Sequence, residues 1–356
     1  KEYSMKDKKE KPIYLDRNEF NYEVSPLVAE SLASFNPNDL CTYTRYFQDG
    51  IKSELSAYLG ELYNVPESNI VLGYGGEHIL KNAIHYFLSV AKNKKIMIPS
   101  YSWWYYKAIA DEIHGENIKY PIHEANGEFS YDIDKLIEIA NQEKPYVLLI
   151  ATPNNPTGNI LPLEDLKRVL AAIPADTIVI LDEAYTIFRK NTVQYIAELI
   201  KEFPNLLVIR TFSKFFGLPG LRLGYGFYGN KLKNFEDFNT MYLGYNKLTE
   251  KLGIAALKST DYYNDVAQKL DKDKELYLKE LNRLNGFTVY KSHANFILVK
   301  YPIELKEKLQ KALNKEHIIV KFMNEDNLNS HMRITLGQTN VNKQVVEIIK
   351  KTALDK

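Results

Sequence analysis

The apolar positions of this chain fall into short continuous runs, separated by longer stretches where they recur at helical spacing. Runs at 70–72, 95–98, 146–151, 177–181 and 206–210 read as buried strands. Amphipathic segments at 77–91, 103–113, 133–141, 163–173 and 193–202 lie between them and read as helices. Tyr120 closes a further short strand, and 223–228 reads as an antiparallel one. Sustained from about 70 to 228, this alternation predicts an α/β domain with a mainly parallel sheet and helices on both faces.

The flanks have another texture. An apolar run, Ile13-Tyr14-Leu15, meets the polar group Asp16-Arg17-Asn18-Glu19. A helix opens at Ser25-Pro26, runs through Phe35 and stops at Asn36-Pro37-Asn38. Segment 51–62 is amphipathic, with Ile51, Leu55, Tyr58, Leu59 and Leu62 on one face. Beyond 230, a long charged helical stretch spans 250–284 with a break expected near Asp261. Strands at 295–300, 318–320 and 332–336 alternate with helices at 305–313 and 341–350. The expected division is a large α/β domain over 41–247 and a smaller α+β domain made of 1–40 and 248–356.

Composition narrows the class. The chain has 356 residues, more than a single core accommodates. Its formal net charge of +1 offers no field to draw nucleic acid or an anionic membrane. The apolar runs are too short to span a bilayer. One cysteine, Cys41, excludes an internal disulfide and points to a reducing compartment, the cytoplasm. The mixed-charge segment Lys6 to Lys11 precedes no apolar stretch and does not read as a secretory signal. The chain starts at Lys1 without methionine, so a few residues are expected upstream. With 26 tyrosines, several phenols are expected near a polar ligand.

In parallel sheets, ligands bind beyond the carboxyl ends of the strands. Past the strand at 70–72 lie Gly75, Gly76 and Glu77, a turn whose amides and following helix suit a phosphate, or simply a turn. It matches neither GxGxxG nor GxxxxGK[ST], so a dinucleotide-dependent oxidoreductase is not supported. Past 95–98 comes Tyr101, a plate for a planar heterocycle or a core aromatic, with Trp104 as the substitute. Past 146–151 comes Asn155, an amide donor or turn material; past 177–181 come Asp182 and Tyr185. Asp182 suits a metal, a helix cap or a protonated ring nitrogen, and no acidic cluster at metal spacing accompanies it. Past 206–210 come Ser213 and Lys214, with Arg222 eight positions on. Lys214 is a solvated surface group or, in partly apolar surroundings, a nucleophilic amine.

An anion cradle, a plate, an amide, an acid with a tyrosine, and a lysine together fit pyridoxal 5'-phosphate. Gly75 and Gly76 take its phosphate, with Ser213 and Arg222 adding a hydroxyl and a guanidinium. Asp182 faces the ring nitrogen, Asn155 and Tyr185 the phenolic oxygen, and Lys214 the aldehyde.

These residues carry a family resemblance. The matching stretches are Leu15-Asp16-Arg17-Asn18-Glu19, Asn154-Asn155-Pro156-Thr157-Gly158, Asp182-Glu183-Ala184-Tyr185, Ser213-Lys214 with Arg222, Ala294-Asn295-Phe296-Ile297-Leu298 and Met332-Arg333-Ile334-Thr335-Leu336-Gly337. In that order, and over nearly the whole chain, they resemble fold-type I pyridoxal-phosphate enzymes of the class I/II aminotransferase group. Histidinol-phosphate aminotransferases are nearest in texture. The resemblance implies a mixed, mostly parallel seven-stranded sheet in the large domain. It implies catalytic roles for Lys214, Asp182 and Tyr185, an α-carboxylate site at Arg333, and Asn18 near the substrate. It also implies a homodimer in which Tyr43 reaches the cofactor phosphate of the neighbouring site. The expected activity is transamination between an amino acid such as glutamate and a small keto or carbonyl compound, phosphorylated or not.

Departures from the family pattern gather at the substrate end: Asn18-Glu19-Phe20-Asn21, Tyr43-Thr44, Gly73-Tyr74-Gly75-Gly76-Glu77-His78 and Arg17. Arg17 and Arg45 are extra cations, for a substrate phosphate or merely solvated. The alternative these departures motivate is decarboxylation of phosphoserine or phosphothreonine. A non-enzymatic cofactor-binding sensor is disfavoured, since no DNA-reading helix pair or basic arm flanks the domain.

Overall fold

The computed structural model describes residues 11–188 and 191–355. Up to residue 10, the mixed-charge segment read from Lys6 lies outside the described residues. In chain order the strands are β1 (Ile13–Leu15), β2 (Ile70–Gly73), β3 (Lys95–Pro99), β4 (Glu116–Tyr120), β5 (Ile122–Ala125), β6 (Glu128–Tyr131) and β7 (Val147–Ala151). There follow β8 (Ile178–Asp182), β9 (Leu206–Thr211), β10 (Gly224–Tyr228), β11 (Thr288–Val289), β12 (Phe296–Lys300), β13 (Ile318–Phe322) and β14 (His331–Thr335).

Seven of them form one sheet in the order β2-β10-β9-β8-β7-β3-β4. All its pairings are parallel except those of β10, which runs antiparallel to β2 and β9. Its strands are nearly continuous apolar runs because both faces are covered. Period-2 alternation divides them: Ile96, Ile98, Leu149, Ile180 and Ile209 join one buried cluster, while Met97, Leu148, Ile150, Leu181 and Val208 join the other. The first packs under helices Gly76–Val90 and Tyr105–Asp111.

A five-stranded sheet has the order β1-β13-β14-β12-β11. β1 enters it parallel to β13, with Ile13 opposite Ile318 and Leu15 opposite Val320. The N-terminal strand thus joins the sheet of strands after 287, and Asp16 to Asn18 emerge at one edge of that sheet.

Several elements differ from the sequence reading. The charged stretch after 247 is two helices, Lys247–Lys258 and Thr260–Leu281, parted at Ser259, two residues before the break expected near Asp261. The Ser259 hydroxyl donates to Ala255 O at 2.8 Å and meets Ser25 Oγ at 2.7 Å, a local bond that competes with helix continuation. The segment expected as one helix over 193–202 is Asn191–Gln194 and Ile196–Glu202, with Tyr195 between them turned onto Glu183. The helix expected to start at 103 spans Tyr105–Asp111. The hairpin β5–β6 was unforeseen, although Asn126-Gly127, both at positive φ, is a strong hairpin-turn signal. Helix Lys233–Asn239 was also unforeseen.

Candidate active site

The strand ends do converge. A cavity of about 760 Å³ opens at the carboxyl ends of β7, β8 and β9 and is bordered on the other side by Lys321 of β13, Arg333 of β14 and residues 16–19 after β1. Asn155, Asp182, Tyr185, Ser213, Lys214, Arg222, Gly76, Glu77, Arg333, Asn18 and Arg17 all line it. Residues up to 317 positions apart in sequence therefore meet only because the two sheets face each other.

At its floor, Asp182 is 7% exposed. Its Oδ2 accepts from the Tyr106 hydroxyl at 2.6 Å, and Oδ1 from the Ala184 N–H at 3.0 Å. Burial pushes its proton affinity above the usual carboxylate range, while these two hydrogen bonds hold it down. Such a carboxylate is a natural partner for a protonated ring nitrogen, whose charge would offset the desolvation.

Lys214 stands beyond β9, its Nζ donating to Arg17 O at 3.0 Å and lying 5.6 Å from the Tyr185 ring centre. Asn155 Nδ2 donates to the Tyr185 hydroxyl at 3.1 Å. Arg333, on β14, donates from Nη1 to Asn155 Oδ1 and from Nη2 to Asp16 O, both at 2.6 Å.

The anion end is built from backbone. Gly75 has φ +87°, and a Cβ there would come within 2.8 Å of Arg222 Nη2. β10 presses against this turn so closely that a Cβ on Gly224 would meet Gly76 N at 2.3 Å. Helix Gly76–Val90 starts at this turn, aiming amide donors and the positive end of its dipole at the cavity. Arg222 Nη1 lies 3.5 Å from Ser213 Oγ, and Nη2 lies 3.9 Å from Glu77 Oε2.

Three buried polar atoms of lining residues have no hydrogen-bond partner among the described residues: Asp16 Oδ1, Asn18 Nδ2 and Arg333 Nε. Unsatisfied groups around one cavity are what a polar ligand would satisfy. The donor set fits pyridoxal 5'-phosphate group by group: amides with Arg222 and Ser213 for phosphate, Asp182 for the ring nitrogen, Asn155 and Tyr185 for the phenolic oxygen, Lys214 for the aldehyde.

Some expected residues stand elsewhere. Tyr101 is outside the lining, edge-on to Phe129 with ring centres 5.5 Å apart, because the Asn154 amide holds its carbonyl at 2.8 Å and turns the chain there. Trp103 and Trp104 line the cavity instead. Tyr43 is 69% exposed and outside the lining, as is the exposed Arg45. Arg17 contributes its backbone carbonyl while its side chain is 80% exposed. Sequence reasoning missed Tyr106, Asp16 and Lys321, which also line the site. Lys321 could have been found from its position after the apolar run of β13, opposite Arg333 in the register.

Fold and site together define a pyridoxal-phosphate enzyme of fold type I. The chain belongs to the family of class I and II aminotransferases, whose model matches residues 10–349. It is 32% identical to the histidinol-phosphate aminotransferase of Ruminiclostridium cellulolyticum over 94% of this chain and 91% of that protein. The crystal structure of the histidinol-phosphate aminotransferase from Clostridium acetobutylicum superimposes with a TM-score of 0.83 at 23% identity, covering 96% of this chain and 99% of the other. That of L-threonine-O-3-phosphate decarboxylase from Porphyromonas gingivalis gives 0.77 at 20% identity, covering 95% and 98%. The chain is an enzyme of aminotransferase type, and its cofactor is pyridoxal 5'-phosphate. Among the described residues, no helix is long and apolar enough to cross a membrane.

Proposed function

We propose that this aminotransferase moves an amino group between glutamate and a small phosphorylated partner of the histidinol phosphate type. The observation that carries the reading is the placement of Arg333 and Lys321 around the cavity that also holds Lys214 and Asp182. A buried guanidinium suits the carboxylate of an amino acid. Lys321 adds a cation for a phosphate at the substrate end. The relatives' name supports the same substrate class.

Bound pyridoxal phosphate supplies an aldehyde that takes up amines and a ring that draws electrons from the substrate Cα. The residues do the rest. Lys214 Nζ would hold the cofactor aldehyde and would move the substrate Cα proton as general base. Asp182 holds the ring nitrogen's proton in place. Asn155 Nδ2 and the Tyr185 hydroxyl orient the phenolic oxygen. Ser213, Arg222 and the Gly75-Gly76 turn, with Glu77 beside Arg222, anchor the phosphate. Arg333 and Asn18 position the substrate, and Trp104 takes the plate role first read for Tyr101.

The reading includes a homodimer. Exposed Leu40, Tyr43, Phe47, Tyr242 and Leu243 lie on two segments tied by the Lys247 Nζ to Thr42 Oγ1 bond at 2.7 Å. Such a patch suits a two-fold interface that brings Tyr43 to a neighbouring site. The reading also includes a division into 41–247 and 1–40 with 248–356, and a cytoplasmic location, consistent with the single cysteine.

The test loads the protein with pyridoxal phosphate and adds L-glutamate, reading the cofactor absorbance. Histidinol phosphate with 2-oxoglutarate should then yield glutamate. Failure to transfer an amino group from any common donor sinks the proposal. Carbon dioxide released from phosphothreonine or phosphoserine would move it to the decarboxylase alternative.

A further inference from the structure

Asp182 has a partner that the strand-end pattern did not supply. Tyr106 lies in the first turn of helix Tyr105–Asp111 and is 3% exposed. Its backbone N–H donates to Trp103 O at 3.1 Å, and the Trp103 ring stands edge-on to its own at 5.7 Å. Thus held, its hydroxyl donates to Asp182 Oδ2 at 2.6 Å.

The groups facing Asp182 divide by effect. Burial raises its proton affinity; Tyr106 and Ala184 lower it by hydrogen bonds, the neighbouring Glu183 charge raises it, and Lys214 lowers it. Tyr131 and Tyr185 are the other phenols near this pair. The Tyr131 hydroxyl is spent on Ala151 O, and that of Tyr185 accepts from Asn155. Ala184 contributes a main-chain donor that any residue there would supply. Tyr106 is the side-chain donor. Burial and the facing carboxylate hold the Tyr106 phenol well above its ordinary proton affinity, so it remains a donor throughout the working pH range.

We propose that Tyr106 is a positioning residue: its hydroxyl fixes Asp182 and limits that carboxylate's basicity, so that the proton shared with the cofactor ring nitrogen stays on the ring. A hydrogen bond to a carboxylate stabilises the charged form and weakens its claim on a proton. Without it, Asp182 draws the proton toward itself, and the ring loses electron-withdrawing power. The inference rests on the reading of Asp182 as the ring-nitrogen partner.

The experiment uses cofactor labelled with ¹⁵N in the ring. The ring-nitrogen NMR shift and the cofactor dissociation constant are measured in the wild type, Tyr106→Phe, Asp182→Asn and the double variant, and each apo-protein is melted. Tyr106→Phe should move the shift toward unprotonated pyridine and weaken cofactor binding about 3- to 10-fold. Added to Asp182→Asn, it should change neither reading, because the effect passes through the carboxylate. A ring-fluorinated tyrosine at 106, still a donor, should keep the wild-type signal even if the Phe variant folds poorly. An unchanged shift in Tyr106→Phe, or an equal loss of affinity in both backgrounds, overturns the proposal. If Asp182→Asn itself leaves both readings unchanged, the assignment of Asp182 falls, and this inference with it.

Discussion

Arg333 Nη1 donates to Asn155 Oδ1 at 2.6 Å, and this bond joins the five-stranded sheet to the loop after β7. A second bond to Asp16 O and the Phe296 ring, 5.6 Å from the guanidinium carbon, complete the fixing of a planar cation at the cavity wall. Burial lowers its proton affinity, against the opposing influence of Tyr185 and Asp16. The guanidinium is therefore oriented before a carboxylate arrives, which lowers the entropy lost on binding.

Arg333→Lys should leave cofactor binding near the wild-type level and reduce kcat/KM for amino-acid donors by about 10- to 100-fold, since a lysine cannot reproduce the fork. Steady-state kinetics with glutamate check this. An amine without a carboxylate should be affected much less.

Lys214→Ala should still bind pyridoxal phosphate but lose its covalent attachment. Borohydride treatment followed by peptide mass spectrometry should find the cofactor on Lys214 in the wild type and on no lysine in the variant. Activity should fall by about 10²-fold or more, the contribution expected of a general base.

Behind the site, Arg210 Nε donates to Glu183 Oε2 at 2.7 Å, with both residues buried. Arg210 also donates to Tyr63 Oη at 2.9 Å and Thr192 O at 2.7 Å. This pair clamps β8 to β9, the strands that present Asp182 and Lys214. Glu183→Gln leaves a buried cation without its counter-charge and should cost about 3 kcal/mol of stability, measured by urea unfolding.

Glu250 supplies a pH dependence. It is buried beside the N-terminus of helix Glu54–Tyr63, where Leu55 N–H donates to its Oε2 at 3.4 Å, and burial raises its pKa to about 7. The folded state thus binds this proton more tightly than the unfolded chain does. The associated stability is present below about pH 4.5 and is lost as pH rises through 7, by about 3 kcal/mol in full. Glu250→Gln should match the wild type near pH 4.5 and exceed it at pH 8. Unfolding midpoints at the two values decide it.

Much of the site was legible because a parallel sheet delivers the residues after each strand to one edge. Asn155, Asp182 and Lys214 needed only the apolar runs before them to be recognised as strands. Tyr106 and Trp104 were harder. Which face a helix-opening aromatic presents depends on where the helix begins, and the expected start at 103 was two residues early. That offset rotates the side chains by about half a turn.

By itself, then, the sequence determined the alternation, the sheet class and the chemical groups at the strand ends, since local periodicity and turn chemistry are carried by neighbouring residues. The tertiary structure alone decided that β1 joins β13, that Arg333 reaches Asn155, and that the Tyr106 hydroxyl donates to Asp182. Those contacts span long loops of chain. Their geometry is set by the packing of whole sheets and helices against one another, and no short window of residues encodes it.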